Sequence, residues 1–291
     1  MAIRIRLFCK RAIGALVLAA IAACSPLKAL NALTPKDSFD KTEGIAYGSD
    51  PRQKLDVYVP RHPMENAPVV VFFYGGSWNS GSRSDYSFVG EALASRGIVA
   101  VLADYRLYPQ VRYPAFLEDG AKAVAWTRSH IQQFSGNPQR LYLMGHSSGA
   151  YNVAMLALDP QLLGAAGMSP HDISGWIGLA GPYDFLPIVN PDVRPVFFWP
   201  NSPALSQPIN HVSRGAPPAL LMASSDDELV DPGRNTGGLA RKLREAGVPV
   251  RDLYFSRTGH ATLVAALSRP MRGLAPVLDE VEGFIKATPA Q

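Results

Sequence analysis

Residues 140–149 read Arg-Leu-Tyr-Leu-Met-Gly-His-Ser-Ser-Gly, and this stretch decides the fold of the chain. An apolar run that ends in Gly-x-Ser-x-Gly predicts a buried strand followed by a sharp turn. The mostly apolar residues 150–158 then predict a helix. Gly145 and Gly149 permit the tight backbone and close packing that such a turn requires. Ser147 is therefore predicted to lie at the carboxyl end of a strand, where a strained turn presents its hydroxyl.

A serine nucleophile needs a base, and His171, His211 and His260 follow Ser147 in the sequence. In hydrolases built on a strand-turn-helix nucleophile, the chain order is serine, acid, histidine. His260 comes shortly after the strand-like run 250–255, so a loop at that strand's end can bring its imidazole to the serine. His171 precedes a predicted strand and so lies at its wrong end, whereas His211 lies in a proline-rich connection. We predict His260 as the base; the alternative is an ordinary surface histidine.

The acid is expected between the serine and the histidine, in the loop after another strand. Residues 218–223 predict that strand, and the loop 224–232 contains four acidic residues. One buried carboxylate there would fix the tautomer of the imidazole and stabilise the imidazolium as it forms. The residue pattern does not choose among Asp226, Asp227 and Asp231.

Acyl transfer also needs amide donors aimed at the developing oxyanion. Residues 67–73 are apolar and rich in β-branched side chains, which predicts a buried strand. Residues 74–81, Tyr-Gly-Gly-Ser-Trp-Asn-Ser-Gly, follow it, and their glycines would let the backbone approach a substrate oxygen closely. The alternative is an ordinary turn at the end of a strand.

These motifs together resemble the α/β-hydrolases of the carboxylesterase and lipase group. The chain is especially similar to esterases with a His-Gly-Gly-Gly-type oxyanion loop and to bacterial esterases with feruloyl-esterase-like or formamidase-like domains. The matching pieces run in family order from about residue 47 to the C-terminus: Tyr74–Trp78, Asp104–Leu107, Pro114–Asp119, Gly145–Gly149, Asp227–Val230 and Gly259–His260. The resemblance implies an α/β-hydrolase fold, with a central, mostly parallel sheet flanked by helices and a small lid-like insertion.

The resemblance also implies a role for each matching residue. Ser147 corresponds to the nucleophile, and His260 to the group that acts as base and then as acid. Asp227 corresponds to the acid partner, because the family places that residue three positions before the valine found here at Val230. The chemistry implied in this way uses neither a metal nor a cofactor.

The oxyanion hole implied by the resemblance consists of the amides of Gly76, Ser77 and Ser148. The sequence departs from the family here, since Tyr74 stands where this group usually has a histidine that braces the loop. Ser77 likewise stands where many members have a third glycine. A tyrosine hydroxyl would have to brace the loop in another way.

Apolar runs alternate with helical patterns over residues 43–291, which predicts one α/β domain with a mainly parallel sheet. Asp50–Gln53 marks an early hairpin and hence an antiparallel first pair of strands. The irregular segment 182–212 is rich in proline and contains the aromatic residues Phe185, Phe197, Phe198 and Trp199. A stretch of this kind predicts a lid or substrate wall; the alternative is a satellite hydrophobic cluster.

Residues 1–23 form a separate module in which four basic residues precede the apolar run 12–23. The run is too short to span a bilayer and predicts a secretory signal peptide. Residues 21–24 resemble a bacterial lipoprotein box with Cys24 as the lipidated mature N-terminus, followed by a linker over 24–42. This predicts export to the periplasm or a lipid anchor in the outer membrane of a bacterium. The alternative is a plain cleaved signal in which Cys24 is incidental.

Charge and cysteine content exclude several classes of function. The leader holds four of the 28 lysines and arginines and no acidic residue, leaving 24 basic against 24 acidic residues beyond it. This balance argues against nucleic-acid binding. The chain has only Cys9 and Cys24, so a protein that begins at Cys24 would have no disulfide, cysteine metal site or cysteine nucleophile.

The sequence thus predicts a serine carboxylesterase that cleaves short-chain or aryl esters of small molecules through an acyl-enzyme on Ser147. An arylformamidase-like amidase that uses the same residues is the first alternative. The second is a hydrolase fold retained as a binding module without enzymatic activity.

Overall fold

The computed structural model of the protein describes residues 26–62 and 66–288, and their centre is one eight-stranded sheet. The strands are β1 (Phe39–Ala46), β2 (Lys54–Pro60), β3 (Ala67–Phe73), β4 (Val99–Ala103), β5 (Gly136–His146), β6 (Gly175–Leu179), β7 (Ala219–Ser224) and β8 (Val250–Phe255). The α-helices are α1 (Pro26–Ala32), α2 (Ser87–Ala94), α3 (Ala115–His130), α4 (Ser148–Leu158), α5 (Pro160–Gly164), α6 (Gly238–Glu245), α7 (His260–Ala265) and α8 (Val277–Ala287).

The strands are arranged in the order β1-β2-β4-β3-β5-β6-β7-β8. Strand β2 is antiparallel to both β1 and β4, and every other neighbouring pair is parallel. All residues of β3, β4 and β6 are buried, as expected for strands that helices cover on both faces. The predicted mainly parallel sheet with an antiparallel first pair is therefore confirmed.

The parallel register brings distant parts of the chain to one edge of the sheet. Phe73 at the end of β3 pairs with Gly145 of β5, and Ser224 at the end of β7 pairs with Phe255 of β8. The loops that follow these strands therefore emerge side by side at the carboxyl edge. Ligand sites in sheets of this kind lie at that edge.

The N-terminal part of the described chain is more ordered than a linker. Helix α1 packs Leu27 and Leu30 against the core, and its Asn31 side chain donates a hydrogen bond of 2.7 Å to the Ser84 carbonyl. Since β1 begins at Phe39, the predicted domain start at residue 43 is too late. The predicted signal peptide over 1–23 and Cys24 lie outside the described residues. Among those residues, no helix has the length and apolar character needed to cross a membrane.

Segment 182–212 is irregular, as predicted, and all of it is described. It contains neither an α-helix nor a β-strand, only short 3-10 turns such as Arg194–Phe197. Phe197 is buried, whereas Phe198 and Trp199 are exposed and have arginine side chains over their rings. Tyr183 is buried as well, so the segment has two aromatic side chains in the interior and two on the outer surface.

A buried ion pair joins the chain after β4 to α3. The Asp119 side chain is fully buried, and its carboxylate accepts hydrogen bonds from Nε and Nη2 of Arg106 at 2.8 and 2.7 Å. The Gln53 side chain donates a third bond of 2.7 Å. A carboxylate withdrawn from water is stable only when its oxygens are paired in this way. This network connects the hairpin before β2 to a helix that covers the sheet.

We expect Asp119→Ala to lower the free energy of unfolding by roughly 3–5 kcal/mol, because it leaves the Arg106 guanidinium without its buried partner. Glu118→Ala is the matched control, since the neighbouring side chain is exposed. Urea unfolding followed by tryptophan fluorescence measures both. Equal midpoints for the two variants would show that the buried pair contributes little.

Candidate active site

The turn between β5 and α4 holds Ser147 in a strained backbone conformation, with φ of 55° and ψ of −122°. A residue with a side chain rarely adopts positive φ, and it persists only where its surroundings enforce it. Two close contacts of the backbone enforce it here. A Cβ at Gly149 would lie 2.0 Å from the Phe73 carbonyl oxygen, and one at Gly145 would lie 2.2 Å from the Gly149 carbonyl oxygen. Both glycines of the motif are thus steric requirements of the turn.

The structure brings Ser147, His260 and Asp227 into one hydrogen-bonded chain. His260 Nε2 lies 2.9 Å from Ser147 Oγ, and His260 Nδ1 lies 2.8 Å from Asp227 Oδ2. When Nδ1–H donates to the carboxylate, Nε2 is left free to accept the serine proton. His260 begins α7, and Asp227 lies in the loop after β7. This geometry can carry out nucleophilic catalysis with an oriented general base.

Burial and hydrogen bonding distinguish Asp227 from the other acids of its loop. Its side chain is fully buried, and Oδ1 accepts hydrogen bonds from the amides of Leu229 and Val230 at 2.9 and 3.0 Å. Burial alone would raise the pKa of Asp227. The hydrogen bond and the charge of His260, together with the two amides, outweigh that effect. The pKa of Asp227 therefore lies below its usual range.

The alternatives that the sequence left open lie elsewhere. Asp226 and Asp231 are exposed, and Asp231 accepts a hydrogen bond of 2.8 Å from a backbone amide of the turn that follows it. His171 is exposed in a 3-10 turn before β6. His211 Nε2 lies 2.6 Å from a backbone carbonyl within the irregular segment. Neither histidine hydrogen bonds to the serine.

The loop after β3, residues 74–81, carries two of the three predicted oxyanion donors and is called the oxyanion loop below. Gly76 has a φ of 139°, and a Cβ there would lie 2.3 Å from the Ser80 carbonyl oxygen. Ser80 in turn donates from both its amide and its hydroxyl to the Gly76 carbonyl. Within the described residues, the amides of Gly76, Ser77 and Ser148 donate to no protein acceptor, and these residues line the same pocket as Ser147. Their role as oxyanion donors stays a prediction.

Tyr74 occupies the position of the usual histidine and braces the loop through an arginine. Its hydroxyl accepts a hydrogen bond of 2.6 Å from Arg52 Nη2, and the same nitrogen donates to the Gly81 carbonyl at 3.0 Å. The Tyr105 hydroxyl donates to the Tyr74 carbonyl at 2.8 Å, and the two rings stack with centroids 4.8 Å apart. Burial raises the pKa of Tyr74 far above its usual range, so its phenol stays neutral. Arg52 thus joins both ends of the loop.

His146 lies beside Ser147 in the chain and contacts the backbone of His260. It is 5% exposed, and its Nε2–H donates a hydrogen bond of 3.0 Å to the His260 carbonyl. Burial lowers the pKa of His146 to about 3, and repulsion from His260 acts in the same direction. The imidazole is therefore neutral near pH 7, with one fixed tautomer.

Sequence reasoning missed Arg52 and His146. Arg52 lies in the predicted hairpin with no motif around it, and its partners are far away in the chain. His146 occupies a variable position of the Gly-x-Ser-x-Gly pattern, so only its type could have drawn attention. The one hint was Tyr74. It stands where the family usually has a histidine that braces the loop, so the loop had to be braced in another way.

A pocket of about 700 Å³ opens over Ser147 and His260. Side chains from α1, residues 78–86, segment 182–212 and the loop after β7 supply its apolar and aromatic lining: Leu27, Trp78, Tyr86, Pro182, Phe185, Pro187, Ile188, Val189, Val193, Leu229 and Val230. Of the four aromatic residues singled out in segment 182–212, only Phe185 lines the pocket. The segment is thus partly a pocket wall and partly a hydrophobic cluster. Within the described ranges, no group of three His, Cys, Asp or Glu side chains is placed to hold a metal ion.

A mostly parallel sheet flanked by helices, with a strained serine turn at its carboxyl edge, defines the α/β-hydrolase class of proteins. The sequence profile of the BD-FAE family matches residues 55–243. The chain belongs to this family, and the resemblance predicted from its motifs is confirmed.

Individual relatives support the same assignment. The chain is 29% identical over 252 residues to a probable isoprenylcysteine alpha-carbonyl methylesterase of Arabidopsis thaliana, covering 79% of this chain and 52% of that protein. It is 29% identical over 225 residues to kynurenine formamidase of Salmo salar, covering 72% and 70%. A truncated carbohydrate esterase from gut microbiota has the same fold, with a TM-score of 0.74 at 18% identity over 88% of this chain and 98% of that one. The chain spans about half the length of the plant relatives it matches.

The predicted export as a lipoprotein of the bacterial periplasm or outer membrane is wrong. The relatives include plant methylesterases and fish formamidases, and plants and fish have neither of these compartments. The prediction depended on an apolar run behind basic residues, which is a property of composition and does not specify an export route.

We expect Tyr74→Phe to lower kcat by about threefold to tenfold, because Arg52 loses the acceptor that ties it to the oxyanion loop. KM should change little, since the Tyr74 ring is buried outside the pocket. Tyr254→Phe on the exposed face of β8 is the control. Steady-state hydrolysis of p-nitrophenyl acetate measures all three proteins, and a Tyr74→Phe enzyme with wild-type kcat would rule out this brace.

The lowered pKa of His146 should make stability depend on pH. The unfolded chain binds a proton at this histidine near pH 6.5, whereas the folded protein does so only near pH 3. Stability from this group is therefore complete above pH 6.5 and falls as the pH drops toward 3, by up to about 1.4 kcal/mol per pH unit.

His146→Gln should remove that part of the slope between pH 6.5 and 4. The surface variant His171→Gln should retain the wild-type slope. Urea unfolding at a series of pH values measures the free energies, and an unchanged slope in His146→Gln would contradict the prediction.

Proposed function

We propose that the protein is a serine hydrolase that cleaves carboxylic esters of small molecules through an acyl-enzyme on Ser147. The observation that carries the proposal is the hydrogen-bonded chain from Ser147 Oγ through His260 to Asp227, with separations of 2.9 and 2.8 Å. Membership of the BD-FAE family and similarity to plant methylesterases support the ester chemistry.

The proposed reaction follows from the direction of these hydrogen bonds. Ser147 Oγ attacks the acyl carbon while His260 Nε2 takes its proton, and Asp227 stabilises the imidazolium that forms. Free amides of the loop after β3 and of Ser148 hold the oxyanion. His260 then protonates the departing alcohol, and water, activated by the same imidazole, releases the acid and regenerates Ser147.

The pocket supports substrates with a short-chain or aryl acyl group. Its apolar lining offers burial to such a group at about 0.8 kcal/mol for each methylene. Phe185 provides an aromatic surface in that lining. No other part of the proposal depends on the identity of the acyl group, because the reacting atoms are held by the turn and the two loops.

A formamidase is the second candidate. The chain covers 70% of kynurenine formamidase of Salmo salar but only 52% of the Arabidopsis thaliana methylesterase, so the formamidase is the more completely matched of the two. The same serine, histidine and aspartate would serve an amide. A binding module without activity is disfavoured, because such a module has no need for an oriented base beside a strained serine.

We expect Ser147→Ala to lower kcat for p-nitrophenyl acetate and butyrate by roughly three orders of magnitude or more, as the loss of a triad member does. Ser129→Ala, an exposed position on α3, should retain wild-type activity. A fluorophosphonate should label the wild type and Ser129→Ala but not Ser147→Ala.

Parallel assays with an aryl acetate and an N-formyl aryl amine distinguish the two candidate enzymes. A larger kcat/KM for the formyl amine would favour the formamidase. A folded wild type that neither hydrolyses these substrates nor takes the label would leave the binding module as the better proposal.

A further inference from the structure

Trp78 lies in the middle of the oxyanion loop and is almost completely buried. Its indole Nε1–H donates a hydrogen bond of 3.0 Å to Oδ1 of Asn152, which is fully buried on the second turn of α4. Ser77 and Trp78 both have positive φ, 51° and 58°. Two adjacent residues with side chains in this region are strained, and contacts outside the loop must hold them. The Trp78–Asn152 bond is such a contact, and it reaches the helix that Ser147 precedes.

The orientation of Asn152 indicates which of its atoms matters. An indole N–H can only donate, so the amide must turn its oxygen toward Trp78. This leaves Asn152 Nδ2 buried without a hydrogen-bond partner among the described residues. An unpaired buried donor is unfavourable. The Asn152 side chain is therefore oriented so that its oxygen accepts the bond from Trp78, although its nitrogen then lacks a partner among the described residues.

The rest of the indole is held by the irregular segment and by α4. Its ring centroid lies 4.8 Å from that of Phe197 and 5.0 Å from that of Tyr151, both in edge-to-face geometry. Phe185 of the pocket wall stacks on it at 6.1 Å. The Trp78 carbonyl accepts a hydrogen bond of 2.8 Å from the Tyr108 amide. The side chain has no freedom to move without displacing these neighbours.

We propose that Trp78 is a positioning residue, and that its hydrogen bond to Asn152 fixes the distance between the amides of Gly76 and Ser77 and the hydroxyl of Ser147. The proposal rests on the hydrolase function proposed above. Amides act on the oxyanion only once it forms. Displacing them therefore weakens binding of the transition state more than binding of the substrate. Loss of the contact is therefore expected to lower kcat and to leave KM nearly unchanged.

The test compares Trp78→Phe and Asn152→Leu, singly and together, with the wild type. Each single variant removes one partner of the bond and should lower kcat for p-nitrophenyl acetate by about tenfold to a hundredfold, with KM within about twofold. The double variant should lose no more than the worse single variant, because both remove the same bond. Trp126→Phe, a half-buried tryptophan on α3 outside the pocket, should leave both constants unchanged.

A second measurement separates positioning from general damage to the fold. An aryl trifluoromethyl ketone forms a tetrahedral oxyanion on Ser147, whereas the matched methyl ketone stays trigonal. Affinity for the first should fall in both single variants by about the same factor as kcat, and affinity for the second should not. Thermal unfolding checks that each variant is folded, and Asn152→Leu provides the test if Trp78→Phe does not fold.

Three results would overturn the proposal. They are wild-type kcat in the folded single variants, additive losses in the double variant, and a raised KM with unchanged kcat, which would make Trp78 a substrate wall only. Each of these leaves the proposed function intact, because the wild type still turns over and depends on Ser147. A folded wild type without turnover or labelling would overturn both proposals.

Discussion

The site depends on the close approach of α4 to β3. A Cβ at Gly149 would lie 2.0 Å from the Phe73 carbonyl oxygen and 2.6 Å from that of Tyr74. Because no side chain fits between them, the helix begins directly against the point where the oxyanion loop leaves the sheet. The same contact confines Ser147 to its strained turn. One steric constraint thus places the serine and the loop beside each other.

Buried polar side chains then fix the remaining loops around that contact. His146 holds the backbone of His260, and Arg52 joins the beginning and end of the oxyanion loop. Asn235 does the same for the irregular segment, since its Oδ1 accepts hydrogen bonds from the amides of Tyr183 and Asp184 at 2.7 and 2.9 Å. Each of these groups is directional, so it defines a geometry that apolar packing alone would leave loose.

The proposed chemistry and the proposed selectivity belong to different parts of the structure. The groups proposed to react lie on turns held by the sheet. Much of the apolar pocket wall comes from α1, segment 182–212 and the loop after β7, which are irregular or peripheral. Loops of this kind vary most among proteins that share a scaffold. Similarity to both methylesterases and a formamidase is consistent with this division.

The sequence by itself determined the strand-turn-helix around Ser147 and the position of His260 after β8, because periodicity and turn sterics are properties of neighbouring residues. It left three aspartates open, and only the fold decides which one is buried. The residues of α1 were predicted to be a linker. Arg52 and Asn152 could not be recognised from the sequence, because their partners lie far away in the chain. The partner of a buried polar group is chosen by the register of the sheet and the path of the loops, and these exist only in the tertiary structure.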